Sequence, residues 1–170
     1  MSRTHTTTGD DMSDMTLHRT GRRLWTLTTA GTPRGTLRAG RGLVCADATT
    51  AEGTWSLRAL GRRQLRITAG PPDAPVLVLE PPLARWAGTD APAGWSTPRG
   101  FRRYEGVLTR PGGRVAARTS TRAGAPVDVD LIGRHPDLVV LTVCFALLAR
   151  RRRDRARALF VAAMTSHGPT

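Results

Sequence analysis

The densest group of residues that could do chemistry is an arginine cluster near the carboxyl terminus. Its members are Arg150, Arg151, Arg152, Arg153, Arg155 and Arg157. Closely spaced guanidinium groups bind phosphate oxygens, so this cluster is a candidate for binding anionic lipid head groups or nucleic-acid phosphates. The alternative interpretation is structural, because the same charges would stabilise the carboxyl end of a helix and continue into a solvated tail.

Residues suited to catalysis are few and far apart. The glutamates are Glu52, Glu80 and Glu105. Asp128 and Asp130 alternate with valines, which is typical of a solvated strand face. His135 lies directly before a predicted helix, where helix capping or exposure to solvent is favoured over catalysis. Since the sequence contains no nucleophile motif and no metal-ligand spacing, we predict no catalytic residue, metal site or cofactor, and the sequence identifies no small-molecule partner.

The net charge of +13 indicates an anionic partner. All 26 basic residues are arginines, against 13 acidic residues, and the chain is rich in Ala, Gly and Pro, as the coding bias of a GC-rich genome would produce. Part of the charge is therefore expected to be compositional. Smaller arginine pairs occur at Arg22 and Arg23, Arg62 and Arg63, and Arg102 and Arg103.

Short apolar runs between glycines and prolines predict β-strands over most of the chain. We expect about eight to ten strands. The clearest signal is a hairpin of residues 101–109 and 114–121 around Gly112 and Gly113, which permit the positive φ of a tight turn. Residues 89–99 are predicted to form a loop. Without a helical stretch between the strands, this spacing predicts an antiparallel barrel or sandwich.

One apolar segment, residues 138–149, predicts a helix that must be enclosed on every side. Pro136 and Asp137 are typical of a helix start, and the arginines from Arg150 onward are typical of its end. About 12 residues span roughly 18 Å, whereas a bilayer core is about 30 Å thick. We therefore favour a helix inside the protein, with a short membrane segment as the alternative.

Together these features predict a mainly β domain, in which an antiparallel barrel encloses one apolar C-terminal helix. Residues 1–20 are expected to be a disordered tail, because they contain too little apolar surface to offset the entropy of ordering. The barrel is expected over residues 21–149 with its central helix at 136–149. Residues 150–170 are expected to form an arginine-rich tail, either helical or irregular.

This order of elements resembles the tubby C-terminal-like superfamily, which includes the LURP-one-related and phospholipid-scramblase-like proteins. The resemblance covers roughly residues 22–153. It implies a closed barrel around a hydrophobic C-terminal helix and an association with membranes or lipids. It implies no site residue, because the chain has no match to the phosphoinositide-binding residues of tubby proteins and no acidic calcium loop.

The sequence therefore predicts a non-enzymatic binding or scaffold domain that associates with an anionic membrane surface through its arginine cluster. Two alternatives remain open: a sequence-independent nucleic-acid binder and a small integral membrane protein. Cys45 and Cys144 are the only cysteines, and the polar start lacks the apolar stretch of a secretory signal. We expect a cytoplasmic protein, peripheral at the inner membrane if it binds lipid.

Overall fold

Alternating inward and outward side chains build the wall of a closed barrel. The computed structural model describes residues 12–61, 64–87, 91–98, 103–111, 113, 115–122, 125–133 and 135–165. Twelve antiparallel strands follow one another around the barrel in chain order, and the first pairs with the last. The strands are β1 Met12–Arg19, β2 Leu24–Thr29, β3 Thr32–Ala39, β4 Cys45–Thr50, β5 Gly53–Leu60, β6 Arg66–Ala69, β7 Leu77–Glu80, β8 Leu83–Trp86, β9 Ala93–Ser96, β10 Arg103–Thr109, β11 Val115–Arg122 and β12 Val127–Ile132.

Strand β12 shows how the sequence pattern produces the wall. Val127, Val129 and Leu131 are buried, whereas Asp128 and Asp130 are exposed. A period of two residues places the apolar side chains inside the barrel and the carboxylates in solvent. The two aspartates therefore lie on a solvated strand face.

A single helix, α1 Asp137–Thr165, fills the barrel with its first half. All residues from Leu138 to Ala149 are buried, so every face of this half is covered. The helix contacts β3 to β6 as well as β10 and β11, which lie in different parts of the wall. The predicted antiparallel barrel with an enclosed apolar helix is therefore confirmed. No helix in the described ranges is long and apolar enough to cross a membrane.

The amino-terminal boundary differs from the sequence prediction. The expectation of a disordered tail over residues 1–20 is wrong for Met12–Arg19, which form β1 and close the barrel between β2 and β12. Its few apolar residues suffice because Met15 and Leu17 both point into the core. Residues 1–11 lie outside the described part of the chain.

Two further predictions need correction. The segment predicted as a loop over residues 89–99 contains β9, whose Trp95 side chain is buried in the core. The helix does not end at Ala149 but continues through the arginine cluster to Thr165. The tail, left open between helical and irregular, is thus helical as far as residue 165.

The barrel has two mouths of different composition. We call the end of the barrel where α1 enters the entry mouth; the β10–β11 connection and the segment after β12 lie there. The helix leaves at the opposite end, which we call the exit mouth. Six strand connections lie at this end: β1–β2, β3–β4, β5–β6, β7–β8, β9–β10 and β11–β12. A salt bridge from Arg34 to Asp137, with a nitrogen–oxygen distance of 3.2 Å, holds the start of the helix at the entry mouth.

His135 lies at the entry mouth, directly before α1. Its Nε2 atom is buried and has no hydrogen-bond partner among the described residues. Burial lowers the pKa of His135 below its ordinary value of 6.5, and the nearby positive charge of Arg110 lowers it further. Hydrogen bonds to the backbone of Ile132 and Ala116 offset part of this effect. The folded barrel thus favours the neutral imidazole.

Acidification should therefore destabilise the protein through His135. Above pH 6.5 the His135 imidazole is neutral in both the folded and the unfolded chain, so the folded state is not penalised. Below that pH the unfolded chain binds a proton more readily than the folded chain, and the folded state loses stability. We expect the melting temperature of the wild type to fall more steeply between about pH 6.5 and pH 5 than that of His135→Gln. Parallel curves for the two proteins, measured by circular dichroism, would contradict this role.

Candidate anion-binding surface at the exit mouth

Three arginines of the predicted cluster attach the helix to the barrel rim. Arg150 donates from Nη1 to the Thr97 carbonyl oxygen at 2.6 Å. Arg151 donates to the carbonyl oxygen of Arg122 at 2.9 Å and also to the Thr121 hydroxyl. Arg153 donates to a third rim carbonyl, that of Gly61, at 2.5 Å.

These contacts satisfy backbone carbonyls at the ends of strands, where the sheet offers no further donors. Burial lowers the pKa of Arg151, but an arginine side chain stays protonated in proteins. This attachment to the rim is a structural role, but it is not the predicted one, because α1 does not end at these three residues. It also explains why the helix continues beyond Ala149, since the charged side chains reach out to the rim instead of ending the helix.

The other three members, Arg152, Arg155 and Arg157, are exposed on the part of α1 that projects from the exit mouth. The predicted cluster is thus divided between side chains that bond to the described rim and side chains that are exposed. The second group is the exposed part of the cluster, on the half of α1 that lies beyond the buried residues 138–149.

The barrel topology adds arginines that are distant in sequence. Arg22 and Arg23 in the β1–β2 connection, Arg41 before β4, Arg103 at the start of β10 and Arg122 at the end of β11 are all exposed near the exit mouth. Every second connection of an up-and-down barrel lies at the same end, which is why these separate positions converge. The predicted pair Arg62 and Arg63, and Arg102, lie outside the described residues.

The two mouths differ in charge. The six connections at the exit mouth contain no aspartate or glutamate in their sequence. Two acidic side chains on strands near this end are ion-paired, in Arg66–Glu80 at 3.5 Å and Arg103–Glu105 at 3.2 Å. At the entry mouth, by contrast, the strand connections include acidic residues such as Glu52 and Asp73. The positive charge is therefore concentrated at the exit mouth.

Exposed apolar side chains are concentrated at the same end. Among the described residues, the large hydrophobic side chains that are exposed are Val44, Leu60, Leu83, Leu159, Phe160, Val161 and Met164. The first three lie on the rim of the exit mouth and the last four on the projecting part of α1. The most exposed is Phe160, at 68%. The exit mouth thus combines arginines with exposed aliphatic and aromatic surface.

The end of α1 is apolar on all sides. Residues 158–164, called the helix tip below, contain no polar side chain and are all exposed. Seven consecutive residues complete almost two turns, so no polar face remains. The sequence prediction assigned residues 150–170 to one arginine-rich tail and did not separate this apolar surface from it.

The described residues show no metal-binding cluster of three or more His, Cys, Asp or Glu side chains. Cys45 is exposed and Cys144 is buried within α1. Burial also raises the pKa of the Cys144 thiol, so it stays protonated and unreactive.

Comparison of the chain with protein-family models, curated proteins and solved structures gave no match in any of the three. The functional assignment therefore depends on the geometry and charge of the exit mouth.

Proposed function

We propose that this protein is a non-enzymatic binding or scaffold domain that docks with its exit mouth on an anionic membrane surface. One observation carries the proposal: the exposed large apolar side chains of the described residues and the exposed arginines of α1 lie at the same end of the barrel. Interfacial binding needs apolar side chains to enter the bilayer and positive charge to attract anionic head groups.

The dimensions of the helix tip support insertion of its apolar side chains at an angle to the membrane, which lets Thr165 and the polar residues after it stay at the surface. Seven residues extend about 10 Å, which matches the depth of about 5–10 Å to which interfacial helices bury their apolar faces. A helix lying flat in the interface would need one polar face, and the tip has none. Arg152, Arg155 and Arg157 lie immediately before the tip, at the level of the head groups in this orientation.

We propose further that the domain is tubby-like and located peripherally at the inner membrane leaflet. A closed barrel around an apolar C-terminal helix is the fold which the resemblance of the sequence implies. The inner leaflet is the anionic surface that a cytoplasmic protein meets. A sequence-independent nucleic-acid binder is less favoured, because phosphate contacts make no use of exposed leucine, phenylalanine and methionine side chains.

The first test is flotation with vesicles. The wild type should float with mixed phosphatidylglycerol and phosphatidylcholine vesicles but not with pure phosphatidylcholine. Replacing both Phe160 and Met164 by serine should lower the affinity at least about tenfold, because each buried apolar side chain contributes roughly 1.5–3 kcal/mol. Replacing the exposed Arg152, Arg155 and Arg157 by serine should also weaken binding and reduce its salt dependence.

A second measurement tests the orientation. With Cys45 replaced by serine, an environment-sensitive dye attached at Met164→Cys should enter a less polar environment when vesicles are added. The same dye at Thr32→Cys, exposed at the entry mouth, should not respond. Cys144 does not interfere, because it is fully buried. Equal responses at both positions, or binding to duplex DNA without binding to vesicles, would overturn the proposal.

A further inference from the structure

A cleft beside the helix brings part of the arginine cluster against the barrel rim. It has a volume of about 280 Å³ and lies between α1 and the β5–β6, β7–β8 and β9–β10 connections. Its lining includes Gln64, Trp95, Thr97, Arg150, Arg153 and Arg157. The volume is just below the usual range of about 300–1,000 Å³ for ligand sites, so it suits a small head group and not a large molecule.

The helix presents three guanidinium groups to this cleft from one face. Arg150, Arg153 and Arg157 are spaced three and four residues apart, which aligns their side chains. Arg150 and Arg153 are held in place by the carbonyls of Thr97 and Gly61. Each guanidinium has five N–H donors, so a single carbonyl contact leaves it able to bind an anion as well.

The charge of the cleft selects among phosphate anions. Asp154 also lines it, 3.8 Å from Nε of Arg150. Among the described residues that line the cleft, three arginines and one carboxylate leave an excess of two positive charges. A phosphomonoester carries a charge of about −1.5 to −2 at neutral pH, with three oxygens that accept charge-assisted hydrogen bonds. A phosphodiester carries one negative charge and has fewer such oxygens.

We propose that this cleft binds a terminal phosphate group, a phosphomonoester dianion, between α1 and the rim of the exit mouth. The group can come from a lipid head group such as that of phosphatidic acid or from a soluble phosphomonoester. For the lipid source, the inference rests on the proposed membrane docking, since the cleft then lies at head-group level beside the inserted tip. For the soluble source, it is independent of membranes.

The soluble arm of the test uses calorimetric titration of the full chain with glycerol 3-phosphate, and with dimethyl phosphate as the diester. We expect binding of the monoester only. Arg157→Gln should weaken it about tenfold, the effect of losing a charge-assisted hydrogen bond. The matched control is Arg155→Gln, which removes the same charge from the same helix but does not line the cleft. It should change the affinity by less than about twofold.

Two results of the soluble titrations would overturn the proposal that the cleft binds a phosphomonoester. One is equal weakening by Arg157→Gln and Arg155→Gln, which would indicate only a general attraction of anions. The other is equal affinity for the monoester and the diester. Gln64→Ala serves as a second cleft variant and should weaken binding without any change of net charge, so it separates cleft contacts from overall electrostatics.

The vesicle arm distinguishes the lipid source. Wild-type protein should prefer vesicles containing phosphatidic acid over vesicles containing phosphatidylglycerol at matched surface charge, and Arg157→Gln should lose this preference while still binding both. Binding of glycerol 3-phosphate without vesicle binding would support the cleft and contradict the membrane proposal. Vesicle binding without a preference for phosphatidic acid, together with no binding of soluble monoester, would contradict phosphate binding in the cleft but not the membrane proposal.

Discussion

Replacing Leu141 by arginine is expected to abolish folding. Leu141 is fully buried in the part of α1 inside the barrel. Its Cδ1 atom packs against the wall at Gly35, where an added Cβ would lie 3.0 Å from it. The buried polar side chains among the described residues are all threonines, so the guanidinium would find no anionic partner inside the barrel. An unpaired buried charge costs several kcal/mol, a large part of the 5–15 kcal/mol that stabilises a typical domain.

The measurement is soluble yield together with the thermal unfolding curve from circular dichroism. Leu141→Met is the matched control, because it conserves volume and should cost less than about 1.5 kcal/mol. A soluble Leu141→Arg protein that melts at the wild-type temperature would show that α1 is not enclosed by the barrel. The membrane proposal would then have to place the helix differently relative to the barrel.

The second large effect is expected at Gly106 in β10, where side chains of the wall and of the helix meet. A Cβ atom here would lie 2.5 Å from Cη2 of Trp95, 2.6 Å from Cδ1 of Leu147 and 2.7 Å from Oγ1 of Thr119. All three neighbours are themselves buried, so none can move away into solvent. Gly106→Val should lower the free energy of unfolding by about 3 kcal/mol or more, and the melting temperature by roughly 10 °C.

Val107→Ile is the control for this prediction. Val107 is the next residue of the same strand and faces the outside of the barrel, so the added methylene meets no core atom. Its effect should stay within about 0.5 kcal/mol. Chemical denaturation of both variants beside the wild type gives the comparison. Similar stabilities for the two variants would mean that the core around Trp95 has room for another side chain.

The enclosed helix and the barrel could be predicted because local patterns determine them. Residues 138–149 are apolar on every face, which requires enclosure wherever the segment lies. The β10–β11 hairpin could be predicted from the glycines of its turn. In each case a short stretch of sequence contains the whole physical reason, and no distant residue is needed.

Strand β1 could not be predicted because its stability comes from a distant partner. Met15 and Leu17 are too few to indicate a strand in a polar segment, but pairing with Val129 and Val127 of β12 completes their burial. Strand β9, which contains Trp95, could not be predicted either, because the residues around it are rich in Pro and Gly.

The candidate site was only partly predictable for a related reason. The arginine cluster is continuous in sequence, but its division into rim contacts and exposed groups depends on where strand ends place their carbonyls. Arg22, Arg41 and Arg122 lie far from the cluster in sequence and reach the same end of the barrel only through the alternation of barrel connections. No pattern within a short window contains that information.

The pairing that closes the wall also determines the order in which the protein can be assembled. The seam joins Met12 to Ile132, and α1 begins only at Asp137. During synthesis, the growing sheet therefore keeps two unpaired edges and an uncovered apolar surface until its last strand and the helix have emerged. Contacts so distant in sequence make folding slow and expose such intermediates to aggregation. The closed barrel thus depends on β12 and α1 both for its core and for protection against misassembly during synthesis.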